Sequence, residues 1–134
     1  MKESTLYHWI SRSLPQAAWT RIESGFTQRG IPDLVGMYDG RTAWIELKQG
    51  LPRWSPWQRS WATKAARVGV RVFVISIRYY LFARARTLDI AVWDARRLFD
   101  AGNDLTEVKL TWDNASETFV LPRDADMLRH VLWQ

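Results

Sequence analysis

The stretch Gly30-Ile31-Pro32-Asp33-Leu34-Val35-Gly36-Met37-Tyr38-Asp39-Gly40-Arg41-Thr42-Ala43-Trp44-Ile45-Glu46-Leu47-Lys48 carries two apolar runs on either side of Asp39-Gly40. Asp-Gly between such runs is a strong hairpin signal, because a two-residue type I′ turn needs positive φ at both central positions. If those two residues are the whole loop, the register follows: Tyr38 lies opposite Arg41, Val35 opposite Trp44, and Asp33 opposite Glu46.

Two carboxylates in that arrangement repel, with Cβ atoms only about 5 Å apart. A cation between them reverses the sign. Side chains alternate along a strand, so Lys48 emerges on the same face as Glu46. Two carboxylates, with the remaining positions left to water and phosphate, are what Mg²⁺ accepts. The lysine is placed to position or activate a water, or to stabilise charge on a phosphorane-like transition state. The alternative is a surface hairpin with an ion pair. Leu34, Val35, Ile45 and Leu47 speak against it, since they make both faces apolar, as in a strand covered on two sides. Acids in such a strand require a partner or a function.

Gly30-Ile31-Pro32-Asp33-Leu34-Val35-Gly36, followed by Trp44-Ile45-Glu46-Leu47-Lys48, resembles the signature of the PD-(D/E)XK nucleases. The resemblance is nearest the VRR-NUC branch, which includes stand-alone viral nucleases, and shares features with archaeal Holliday-junction resolvases. It implies an α/β, restriction-endonuclease-like core: a helix, a mixed central β-sheet with a hairpin, a crossover helix and a strand. It also implies a Mg²⁺-dependent endodeoxyribonuclease, with Mn²⁺ as a substitute. Asp33 and Glu46, with the Ile45 or Leu47 backbone carbonyl beside them, would hold the metal, and Lys48 would orient the attacking water. Branched DNA, Holliday junctions foremost, and a homodimer with two sites on opposed strands are the implied substrate and assembly. A catalytically inactive binding protein and an RNA-directed nuclease on the same scaffold are the alternatives.

At 134 residues the chain is expected to be one domain, with residues 1–100 as the nuclease core and 101–134 as an acidic accessory extension. It has no cysteine, which excludes disulfides and thiolate metal sites. No apolar run reaches membrane-spanning length and the first residues lack a signal-peptide pattern, so a cytoplasmic protein, in the host cytoplasm if viral, is expected. The net charge of +5 is unevenly spread. Residues 1–99 carry sixteen Lys or Arg against seven Asp or Glu, and residues 100–134 three against seven. Most of the cations are arginines, Arg53 among them, which suit bidentate contacts with a polyanion such as DNA. A merely solubilising surface is the alternative.

Taken in order, Glu3 to Leu14 reads as a helix stopped by Pro15, with Leu6 and Ile10 on its apolar face together with Glu3. An acid in a first turn also complements the helix dipole. In the resembling nucleases a glutamate of the opening helix completes the metal site, which makes Glu3 the third carboxylate. Trp19 to Ser24 is the expected first strand, and Glu23 on it is the rival ligand. Arg21, Ser24 and Arg29 resemble positions that line a substrate phosphate.

Ser55-Pro56-Trp57-Gln58 opens a helix with an N-cap, a proline at the first position and a capping-box glutamine. Trp57, Trp61, Ala65 and Val68 are its expected buried stripe, and Gly69 its end. Gln58 thus has a purely structural explanation. It also matches the family's glutamine beside the active site. Trp54 and Trp57 suit either the core or stacking on bases. Arg59 and Lys64, on the exposed flank, are candidate phosphate contacts, with a solvated face as the alternative.

Val70 to Ile77 is a strand buried on both faces, parallel to the second hairpin strand by way of the crossover helix. A further short strand is expected from Tyr79 to Ala83, Thr87 to Trp93 is ambiguous, and Asp94 to Ala101 reads as a helix closed by Gly102. Glu107 to Trp112 and Glu117 to Leu121 alternate like a second hairpin, with a helix from Asp124 to Trp133 after it. His8 and His130 have no metal or triad spacing.

Overall fold

The turn forms as Asp39-Gly40 requires, with φ of +51° at Asp39 and +72° at Gly40. It joins β2 (Leu34–Tyr38) to β3 (Arg41–Gln49). Their register runs from Tyr38 opposite Arg41 to Leu34 opposite Ile45, as the two-residue loop dictates. The computed structural model describes residues 3–22, 29–81 and 86–134, with the backbone alone for Glu3, Ser4, Tyr80 and Leu81.

Among the described residues six strands make one mixed sheet in sequence order. β1 (Ala18–Arg21) flanks β2, and β4 (Arg71–Leu81), β5 (Thr87–Asp94) and β6 (Glu117–Leu121) continue beyond β3. Among the described residues only the β3–β4 pairing is parallel, because α2 (Pro56–Arg67) carries the chain across the sheet between them. α1 (Glu3–Ser13) and α4 (Ala125–Leu132) cover one face. There Leu6, Ile10, Leu128 and Leu132 pack on Ile45, Leu47, Phe73, Ile75 and Ile90. On the other face α2 and α3 (Ala95–Asp100) lie over Val72, Val74, Ala91 and Trp93. Ile45 and Leu47 belong to the first face, so strand alternation turns Glu46 and Lys48 to the α2 side. Covering both faces is what makes β4 continuously apolar from Val72 to Ile75.

Three expectations are corrected. Trp57 and Val68 are not buried: they are 56% and 77% exposed. The helix instead turns Ala62, Ala65 and Ala66 to the sheet, small side chains that let its backbone lie close to the strands. Tyr79 belongs not to a separate strand but to β4, which continues to Leu81 through an irregularity between Ile77 and Tyr79. Glu107 to Trp112 forms no strand. Asn114 Oδ1 accepts from Thr111 N at 2.8 Å and from Trp93 Nε1 at 2.9 Å, so side-chain bonds organise this loop.

β6 pairs with β5 as the last strand of the main sheet, and Phe119, Leu121, Leu132 and Trp133 enter the first core. Trp133 Nε1 donates to Gly36 O at 3.0 Å and Arg41 donates to Trp133 O at 2.8 Å, tying the last helix to the first hairpin. No helix among the described residues is long and apolar enough to cross a membrane.

Candidate active site

Asp33 closes the loop that leads into β2. That loop sits against the start of α2, and Gly30 makes the approach feasible. Its φ is +89°, and a Cβ there would lie 2.2 Å from the backbone oxygen of Trp57. No other residue fits without moving the loop or the helix. Downstream, Asp33 O accepts from Ile22 N at 2.8 Å, which ties the loop to the residue after β1.

Strand pairing stops at Leu34, so Asp33 stands just beyond it, at the level of Glu46. Its carboxylate turns onto the neighbouring backbone: Oδ2 accepts from Leu47 N at 3.0 Å. This bond fixes one acid beside the strand residue that follows the other.

Glu46 is only 6% exposed. Its Oε1 accepts from Gln58 Nε2 at 3.0 Å and lies 3.9 Å from Lys48 Nζ. Gln58 also closes the helix cap. Its Oε1 accepts from Ser55 N at 3.0 Å, while its own N donates to Ser55 Oγ at 3.1 Å. The two readings of this glutamine therefore coexist in one side chain, whose carbonyl caps α2 and whose amide nitrogen holds Glu46. An N-capped helix start, placed by Pro56, delivers that amide to the strand.

Glu46 with its lysine and amide thus stands next to Leu47, whose N–H holds the second acid, just past the end of the β2–β3 pairing. One ammonium does not neutralise two carboxylates, and the remaining negative charge suits a cation. Among the described residues no group of three His, Asp or Glu side chains converges. Asp33 and Glu46 still supply oxygen donors of the kind Mg²⁺ accepts while keeping several waters. The donor set fits.

Glu3 opens α1, which packs on the face opposite Glu46, and its side chain is outside the described residues. Glu23 and Ser24 also lie outside them. Arg21, Arg29, Arg53 and Lys64 are exposed. Arg21 lies 4.9 Å over the Tyr7 ring and Arg29 5.7 Å over that of Trp57. Arg59 departs from its expected exposed flank. Its Nη1 donates to Leu105 O at 3.0 Å and Val108 O at 2.6 Å, and its guanidinium lies 5.6 Å over Trp54. It is a strut between α2 and the 105–108 loop, because those carbonyls have no strand partner of their own.

Sequence reasoning missed the exposure of Trp57, one residue from Gln58, although a first-turn position beside a glycine loop was a usable signal. A cavity of about 640 Å³ lined by His8, Trp9, Arg12 and Arg86 lies away from the acids. Asp33 is partly exposed, whereas Glu46 is buried.

No protein-family model and no curated protein matches the chain. Among solved structures, the chain is similar to Archaeoglobus fulgidus Hjc, a Holliday junction resolvase from an archaeal hyperthermophile. The identity is 18%, over 70% of this chain and 73% of that one, with a TM-score of 0.48.

Proposed function

We propose that the chain is a metal-dependent endonuclease that hydrolyses phosphodiester bonds of branched DNA, four-way junctions foremost, and acts as a homodimer. One observation carries the reading: a buried glutamate held by Gln58 and Lys48, with a second acid pinned to the backbone of the next residue. A buried ion pair is weak evidence of stabilisation in itself, which is why the cluster is read as a site.

Asp33 and Glu46, with the Leu47 carbonyl, would hold Mg²⁺ or Mn²⁺. When bound, the cation supplies charge neutralisation on the phosphate and a lowered pKa for water. The protein's own part is positional. Gln58 fixes Glu46 in one rotamer, and the Leu47 N–H does the same for Asp33. Lys48 offers the donor that orients a water for attack in line with the leaving 3′ oxygen. Proximity and orientation of this kind are worth several orders of magnitude in rate. Arg29, Arg53 and Lys64 would neutralise flanking phosphates, which makes affinity fall with added salt.

The test is cleavage of a plasmid and of a synthetic four-way junction, with Mg²⁺ or with chelator, beside an RNA substrate of the same shape. Junction cutting that requires the cation is expected. Asp33→Ala, Glu46→Ala and Lys48→Ala should each abolish it while sparing binding. Cutting by Asp33→Ala at the parental rate would overturn the assignment, and preferential cutting of RNA would redirect it.

A further inference from the structure

Beyond the acids, the same face of the sheet carries a cation held in an unusual way. Lys48 is in register with Ser76 on β4, and Arg78 lies two residues further along that strand. Strand geometry puts their Cα atoms about 8 Å apart. The loop after Lys48 is fastened to the same place. Gly50 N donates to Ile77 O at 2.9 Å, and the Ser76 hydroxyl donates to Gly50 O.

Arg78 is the extra residue of a β-bulge, since Ile77 pairs with Ile90 and Tyr79 already with Asp89. Bulges re-aim side chains and are common beside active sites. Here the bulge places the Arg78 guanidinium 5.2 Å from the centre of the Tyr79 ring and 5.9 Å from that of Trp112. Both rings face solvent, Tyr79 at 56% and Trp112 at 37% exposure, and Trp112 is backed by Trp93 at 5.8 Å.

Ring faces position the guanidinium without consuming its donors. Arg78 makes no hydrogen bond and no close ion pair among the described residues, and only its Nε is shut off from solvent. Its terminal nitrogens remain for an outside acceptor. Asp89, the nearby acid, keeps Oδ1 buried without a partner, and burial raises its carboxyl above the ordinary range against the pull of Arg78. A stabilising salt bridge would have spent these groups on each other.

We propose that Arg78, Tyr79 and Trp112 form a subsite for an unpaired nucleotide of the substrate strand, next to the phosphodiester that is cut. Arg78 takes its phosphate, and Tyr79 or Trp112 stacks on its base. A flat aromatic surface accepts any base, so the subsite reads strandedness and not sequence. The proposal rests on the nuclease reading above and gives it a reason to prefer branched DNA, where bases near the branch are free to leave the stack.

The test is fluorescence anisotropy with a labelled oligothymidylate and with a duplex of equal length, both in chelator so that nothing is cut. The full chain is compared with Arg78→Ala, Trp112→Ala and the conservative Trp112→Phe. Each alanine variant should weaken single-strand binding about tenfold, with duplex binding unchanged and Trp112→Phe near the parent. Thermal unfolding checks that the variants fold, and Tyr79→Ala, at a half-exposed position, supplies a variant with little packing to lose. Single-strand binding no tighter than duplex binding, or unchanged in all variants, would overturn the subsite. The two readings fail separately. Parental binding lost in the variants, with no junction cutting in Mg²⁺, would retain the subsite and reject the nuclease; the reverse pattern would reject only the subsite.

Discussion

Gln58 performs two tasks, and they can be separated by mutation. Ser55→Ala removes the cap hydroxyl but leaves the Gln58 amide on Glu46. Loss of an N-cap costs about 1 kcal/mol, which for a domain of this size lowers Tm by about 4 °C. Gln58→Ala removes the bond to Ser55 N and also the bond to Glu46. A hydrogen bond to a charged group contributes about 1.5–3 kcal/mol, so the combined loss is about 2–4 kcal/mol and the fall in Tm about two to four times that of Ser55→Ala. The rates should divide differently. Ser55→Ala leaves the acids as they are and should cut a junction at near the parental rate. Gln58→Ala removes one of the bonds that position Glu46 and should slow single-turnover cutting about tenfold or more, since about 1.4 kcal/mol of lost positioning is a factor of ten. The assays are differential scanning fluorimetry in chelator and single-turnover cleavage in Mg²⁺. Equal Tm and equal rates in the two variants would reduce Gln58 to a helix cap and refute the reasoning.

Gly30→Ala combines a left-handed backbone with a 2.2 Å contact on Trp57 O; it should cost about 3 kcal/mol in urea unfolding and displace Asp33 enough to depress cutting. Arg59→Met removes the donors to Leu105 O and Val108 O, and should lower stability by about 2 kcal/mol while leaving junction affinity unchanged, as expected of an internal strut. Arg123, and then the Val120 N–H, hold the Asp124 carboxyl below its ordinary value. A native carboxyl so depressed contributes stability above the unfolded-state value and loses it as pH falls through the native one. Asp124→Asn should therefore be less stable than the parent at neutral pH, with the difference shrinking below about pH 4, as urea unfolding at both ends of that range would show.

Much of this architecture was legible because local chemistry and tertiary need coincide. Asp39-Gly40 admits one turn, and the turn fixes every pair from Tyr38–Arg41 to Leu34–Ile45. Ser55-Pro56 starts α2, and the β-branched run at Val70 marks a strand covered twice. The failures share a different origin. A hydrophobic pattern scores tryptophan and valine as core, whereas α2 needs alanines where it meets the sheet, so Trp57 and Val68 are left outside. Arg59 looks like a surface cation until the strandless 105–108 loop provides the carbonyls it bonds. The Arg78 bulge depends on the pairing of β4 with β5, which no window along the chain contains. Within the site, the register could be counted from the turn as far as Leu34–Ile45, one residue short of Asp33 and Glu46. The bond from Leu47 N to Asp33 could not, because it arises where the ladder ends.

The claim on which the rest depends is that Asp33 and Glu46 share a divalent cation. Calorimetric titration of Mn²⁺ into the protein, without DNA, measures it directly. The parent should bind, and Asp33→Asn and Glu46→Gln should each weaken binding about tenfold or more at a chelator Tm close to the parent's. Parental Mn²⁺ affinity retained in both variants would contradict the account.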